Sequence, residues 1–271
     1  MEPSQYTAIT CDLTDRIATI TFNEPEVLNP MSEAMVRETM HALDEAATDP
    51  EVLVVIITGA GRAFSAGGDV RGLADRNEAG ASERPTPFQR RAWLRRTQHL
   101  ILAIRAVEKP VLAAINGVAA GGGCDIALAC DIRFMAEGAR IGEIFANIGL
   151  FPGTGGTWLL PRAVGVEKAL ELIWTAELVD ATEAQRIGLV SHVHPGERLM
   201  DEVRAFATRL VAGPPMALAL AKAAVYRGLD QDLVAALDYA STAEAMTLSS
   251  DDHIEGVRAF REKRSPQFRG R

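Results

Sequence analysis

The sequence predicts an α/β protein, a mostly parallel β-sheet covered by helices and followed by a helical C-terminal section. Three observations predict it. Two short runs, residues 52–58 (VLVVIIT) and 111–115 (VLAAI), are almost wholly apolar and rich in β-branched residues, as strands buried on both faces are. Each leads through a glycine-rich turn, residues 63–70 (AFSAGGDV) and 116–125 (NGVAAGGGCD), into a helical pattern. Alternating strands and helices signal a parallel sheet with helical cover. From Pro195 onward the alternation stops, and helical patterns follow one another.

In chain order, residues 17–22 read as a strand with Ile17, Ala18, Ile20 and Phe22 as its apolar positions. Ser32 caps a helix whose stripe is Val36, Met40, Leu43 and Ala47, and Pro50 ends it. After the first glycine turn, residues 77–87 (NEAGASERPTP) combine turn formers with charges and read as a loop within one domain, because strand-helix alternation resumes beyond them. Residues 88–107 form a helix with Trp93, Thr97, Leu100, Ile101 and Ile104 on one face, closed by Lys109 and Pro110. The helical section is broken at residues 213–215 and at Gly228, and its last helix starts near Ser250 with Ile254, Val257 and Phe260 on one stripe. Residues 1–195 are expected to form the core that carries the site, and residues 196–271 the helical section. No internal repeat or low-complexity tract is present.

Composition limits the partners. A chain of 271 residues that is 48% hydrophobic can bury a sizeable core. A net charge of −8 argues against nucleic acid as a partner, since that binding draws its affinity from basic patches. No apolar run reaches the roughly 18 residues of a membrane span, and the first residues (MEPSQ) lack the basic and apolar regions of a signal peptide. A soluble cytoplasmic protein with no membrane association is expected. The three cysteines, Cys11, Cys124 and Cys130, have no zinc-type spacing and read as small buried hydrophobes in a reducing compartment. His41, His99, His192, His194 and His253 lie outside both glycine turns, with no acidic or thiol partner beside the His192 and His194 pair, so no metal is expected.

The two glycine turns carry the chemistry. Glycine lets bare backbone N–H groups approach a ligand, and the helix each turn opens aims unpaired N–H groups and a positive dipole end at the same place. Neither turn has the spacing of a P-loop, nor does 121–123 (GGG) continue as a dinucleotide fingerprint. As a pair they read as two halves of an oxyanion hole that holds a carbonyl oxygen becoming an enolate.

With these turns, the chain resembles the crotonase, or enoyl-CoA hydratase/isomerase, superfamily. The likeness runs from the strand at 17–22 through 23–29 (NEPEVLN), 149–157 (GLFPGTGGT) and 184–190 (AQRIGLV) to the tail at 263–268 (KRSPQF). It implies the ClpP/crotonase-like fold, with a core of repeated ββα units in a spiral and a C-terminal helical section that packs against neighbouring subunits as a homotrimer or a dimer of trimers. It also implies a place in fatty acid metabolism and an acyl-CoA substrate, with coenzyme A part of the substrate and no separate cofactor. The N–H groups of Gly68 and Gly122 would polarise the thioester carbonyl. Glu26, Val27, Leu28, Ala66, Asp69, Val70, Arg71 and Phe145 would line the substrate, with Phe260 and Lys263 joining from a neighbouring subunit. Arg71, Lys263 and Arg264 are the candidate cations for the polyanionic coenzyme.

The chain departs from the family in its acids. Family hydratases use two glutamates; matched through 123–124 and through Gly149, these positions are Asp125 and Phe145. An aspartate that some family isomerases carry beside the 155–156 glycine pair is replaced by Gly153 or Thr154. Asp125, three residues past Gly122, is expected on nearly the same helical face as the oxyanion N–H. If residues 141–145 are extended, Glu143 shares a face with Phe145 and could restore a second carboxylate, its other role being a structural or surface acid. The resemblance makes hydratase or double-bond isomerase activity on an enoyl-CoA the leading expectation, with Asp125 as the principal acid-base group. Water addition ordinarily uses two such groups, so the loss of one shifts weight toward one-base isomerisation. Decarboxylation, thioester hydrolysis and acyl-CoA binding without catalysis are the alternatives.

Overall fold

The computed structural model describes residues 6–68 and 84–271. Asp69, Val70, Arg71 and the loop segment 77–83 lie outside the described residues.

Four times the chain runs out along a strand of one sheet, makes a short excursion, and returns along a helix. The first unit is β2 (Ile17–Phe22) with α1 (Glu33–Thr48). The second is β3 (Val54–Gly59), β4 (Ala63–Ser65) and, after the first glycine turn, α2 (Pro87–Ala106). The third is β5 (Val111–Ile115), β6 (Val118–Ala120) and α3 (Gly122–Ala129), and the fourth β7 (Ile132–Ala136), β8 (Arg140–Gly142) and α4 (Gly156–Val164). The long strands, with β1 (Ile9–Thr14) and β10 (His192–His194), form a six-stranded sheet in the order β1-β2-β3-β5-β7-β10, parallel except for the β1-β2 hairpin. The short ones form a second sheet, β4-β6-β8-β9, with β9 (Val179–Asp180) antiparallel at its edge. The rest is α5 (Val166–Thr175), α6 (Ala181–Arg186), α7 (Leu199–Val211), α8 (Pro215–Gly228), α9 (Leu233–Leu248) and α10 (Asp251–Glu262).

Every residue of β3 and β5 is buried, as the unbroken apolar runs require. The expected strand at 52–58 begins two residues later, at Val54, with Val52 buried just outside it. Both expected glycine turns contain a strand, β4 and β6, too short for periodicity to reveal. Ser32 caps α1 through Met35 N–H as expected, but the buried stripe is Met35, Val36, Thr39, Ala42, Leu43 and Ala46, while Ala47 is exposed and Met40 half-buried. The helix therefore faces the sheet rotated by about one residue from the expected stripe. On α2, Thr97, Leu100, Ile101 and Ile104 are buried as expected, and Trp93 is half-buried. Helix α7 packs across the large sheet, and α8 to α10 lie beyond it. The described helices include none long and apolar enough to cross a membrane.

Candidate active site

Two backbone turns meet because neither carries a side chain where they touch. A Cβ on Gly67, which sits at φ +82°, would strike the Ala120 carbonyl oxygen and come within 2.9 Å of Gly122 N. A Cβ on Gly123 would strike the Ser65 carbonyl. Glycine allows both approaches and the positive φ. Residues 24–31 brace the first turn: Met31 N–H donates to Gly67 O at 2.7 Å, and Ser65 Oγ donates to Asn29 O at 2.7 Å. The buried Asn29 amide donates to Ala63 O at 2.8 Å and to Ala60 O at 3.0 Å, while its Oδ1 accepts from Glu24 N–H at 2.9 Å. Asn29 adopts φ +53°, a conformation asparagine tolerates better than most residues. Spacing alone did not single out this brace, although it lies in the 23–29 segment.

The turns close one end of a cavity of about 660 Å3 lined by Ala66, Gly68, Gly121 and Gly122 there, by Trp93 and Leu94 of α2 on one wall, and by Phe145 and Phe151 opposite. Gly122 is the first residue of α3, so its N–H has no acceptor within the helix. A Cβ on Gly68 would meet nothing within 4 Å, so that position is open. Met31 Sδ packs where a Cβ of Gly122 would stand. The geometry presents two N–H positions, one from each turn, at one end of a largely apolar chamber.

The carboxyls are elsewhere. Asp125 and Glu143 are fully buried, and among the described residues that line the cavity there is no carboxylate. Strand β8 ends at Gly142 and residues Phe145–Ile148 form a single 3-10 turn, so Glu143 and Phe145 do not share the face that an extended segment would give them. Phe145 lays its ring over Gly121, 3.4 Å from where a Cβ would be. Glu143 turns inward, and a surface role for it is ruled out by its burial. Both carboxyls converge on Gly156: a Cβ there would strike Glu143 Oε1 and come within 2.9 Å of Asp125 Oδ1. Asp125 Oδ1 and both Glu143 oxygens lack a donor at hydrogen-bonding geometry.

Burial pushes the Asp125 carboxyl up to about 6, against the pull of the Thr154 hydroxyl. Burial, then the charge of Asp125, drives Glu143 well above the usual carboxylate range. Two acids in one dry site cannot both ionise cheaply. The pair therefore resists giving up its last proton, and Glu143 is the member driven furthest toward its acid form.

Thr154 stands between this pair and the cavity. It lines the chamber, is 8% exposed, and its Oγ1 donates to Asp125 Oδ2. Gln98 of α2 steadies the same turn by donating to Gly153 O at 2.8 Å. The sequence marks this position only as one where a carboxylate is missing.

Of the remaining expected residues, Glu26 and Val27 are exposed and Leu28 half-buried, in a turn whose Leu28 has φ +66°. Phe260, 85% exposed, lines a separate cavity of about 430 Å3 with Phe268 and His253, and exposed Lys263 follows at the end of α10. The chain does not bring these two to the first chamber. Cys11, Cys124 and Cys130 are buried and unpaired, and burial raises the pKa of each. No cluster of metal-ligating side chains occurs among the described residues.

Known proteins resemble this chain over almost its whole length. The probable enoyl-CoA hydratase echA8 of Mycobacterium tuberculosis is 37% identical over 263 residues, covering 97% of this chain and 98% of that protein. The short-chain-enoyl-CoA hydratase of Clostridium acetobutylicum is 37% identical over 250 residues, 92% of each chain. Among solved structures, the putative enoyl-CoA hydratase from Streptomyces coelicolor A3(2) superposes with a TM-score of 0.92 at 33% identity, covering 100% of this chain and 97% of that one. The enoyl-CoA hydratase from Bacillus anthracis gives 0.90 at 34% identity, over 98% and 100%. The fold is thus the crotonase fold. The enoyl-CoA hydratase/isomerase family model matches residues 12–271, and the chain belongs to that enzyme family.

Proposed function

We propose that this enzyme binds an acyl-CoA thioester with its carbonyl oxygen between the N–H groups of Gly68 and Gly122, stabilises the enolate, and moves one proton between carbons of the acyl chain. The supporting observation is the pairing of two open N–H positions with a cavity-lining hydroxyl, Thr154, that is backed by a carboxyl pair. Backbone donors aimed at a developing oxyanion are worth about 3 to 4 kcal/mol each. Double-bond migration needs one proton carrier that serves two carbons, and this wall provides one. Hydration of a 2-enoyl thioester is the second reading, favoured by the names of the relatives. Coenzyme A enters as part of the substrate, over the exposed 26–28 turn and Ala66, with Asp69, Val70 and Arg71 assigned to the same path, and no separate cofactor is invoked.

The test is a panel of 2-enoyl-, 3-enoyl- and 3-hydroxyacyl-CoA thioesters followed by mass and ultraviolet absorbance in deuterated buffer. Interconversion of the 2- and 3-enoyl forms with deuterium uptake is expected to outpace formation of the 3-hydroxy product. Hydration as the faster reaction would move the assignment to the second reading.

We further propose that residues 196–271 form the subunit interface of a cytoplasmic homotrimer or dimer of trimers. Helices α8 and α9 bury no residue fully, and Leu233, Val234 and Leu237 of α9 are 73%, 78% and 60% exposed. Apolar surface gathered in this way marks an interface. Light scattering is expected to give a trimer or hexamer; a monomer at micromolar concentration would contradict it. In such an assembly Phe260 and Lys263 would meet coenzyme A bound to a neighbouring subunit.

A further inference from the structure

We propose that the Thr154 hydroxyl is the catalytic group that meets the substrate, and that Asp125 and Glu143 act only through it as a buried proton store. This inference rests on the enolate reading of the same site.

Three placements carry it. The carboxyls have no surface of their own, so a substrate in the chamber meets Thr154 before it meets Asp125. The Thr154 hydrogen is already committed to Asp125 Oδ2, which leaves the oxygen's remaining lone pair to face the chamber. The other cavity-lining hydroxyl among the described residues, Thr97, donates to its own helix at Leu94 O, 2.8 Å away, and faces no carboxylate in that bond. Behind Thr154, two unpartnered carboxyl oxygens, Asp125 Oδ1 and Glu143 Oε1, meet at Gly156, and Glu143 Oε2 is unpartnered as well. Buried acceptors without donors are costly unless a proton is held among them.

The step balances as a relay. A C–H bond of the acyl chain breaks, and its electron pair passes into the thioester enolate held by the N–H groups of Gly68 and Gly122. The proton goes to Thr154 Oγ1 as the hydroxyl's own proton passes to Asp125 Oδ2. Return of the proton by the same path to the second carbon completes the double-bond shift. Thr154 is neutral before and after, and Asp125 becomes neutral beside an already protonated Glu143. The two-carboxyl store is thereby kept out of water, which would otherwise compete for its proton.

The test compares wild type, Thr154→Val and Thr154→Ser for deuterium uptake from D2O by a 3-enoyl-CoA, with thermal melting as the check on folding. Valine keeps the shape and removes the hydroxyl. It is expected to slow exchange at least about 100-fold, the low end for a positioned acid-base group, while serine stays within about tenfold of wild type. The residual activity of the valine variant should also lose the acidic limb that Asp125 gives wild type, since the carboxyl then has no path to the substrate, while the serine variant keeps it. The groups that face Asp125 are Glu143 and Thr154, with Cys124 beside Glu143, and none of them is altered by the change except at Thr154. Exchange by the valine variant within about threefold of wild type would overturn the relay and leave the enolate reading standing. Equal losses in the valine and serine variants would also overturn it, by showing that the residue matters only for packing. Absence of exchange by the wild type itself would remove the enolate reading and the relay together.

Discussion

A carboxylic acid cut off from water keeps its proton longer than a free one, and Asp125 and Glu143 are cut off together. The position of Asp125 in the first turn of α3 and the presence of Glu143 are legible in the letters. Their common burial is not, because it depends on where Gly156, 31 residues beyond Asp125, places its bare Cα. Thr154 is legible only as an absence until the fold puts it in front of Asp125. Stability follows from the same burial. The folded pair binds protons more tightly than the unfolded chain does, so stability is lost as pH rises from the ordinary carboxylate range through the raised native values. Glu143→Gln removes one of the two acids and the repulsion it exerts. Between about pH 5 and about pH 8 the variant is expected to lose at least about 1 kcal/mol less stability than wild type, the worth of one pKa unit. Urea melts across that range check it. Glu38 and Glu255, held low by their hydrogen bonds, slope the other way, but equally in both proteins. Parallel stability curves would contradict the pairing.

Among the elements, the long strands and the helices of the core are visible as runs and stripes, because burial on both faces or on one imposes a period on the sequence. The three-residue strands β4, β6 and β8 are invisible as strands, since three residues cannot display a period. Their role can still be read through glycine. Gly67 and Gly123 mark places where one backbone lies on another, and the contacts at Ala120 and Ser65 say which backbone it is. Met40 and Ala47 show the opposite error. An i, i+4, i+7 count finds an amphipathic helix but fixes its rotation only to within a residue. The turn at Phe145–Ile148 is a third case. An apolar, β-compatible segment left strand geometry there, turning Glu143 and Phe145 to different surroundings.

At the scale of the whole molecule, the second sheet explains why this fold suits thioester chemistry. Each ββα unit ends its short strand beside the next, so the turn after β4 and the turn after β6 arrive side by side. Two N–H groups from different units then face one end of the same chamber without any side chain being committed to the task. The central claim is that these groups polarise the thioester carbonyl, and infrared spectroscopy reads that directly. Bound to wild type, an acyl-CoA carrying 13C at the thioester carbonyl is expected to show its C=O stretch shifted to lower frequency than in free solution. Gly122→Pro removes one of the donors at the first position of α3, where a helix tolerates proline, at the cost of displacing the Met31 thioether. The folded variant is expected to bind the thioester with most of that shift lost. An unshifted carbonyl in wild type, or an undiminished shift in folded Gly122→Pro, would contradict the account.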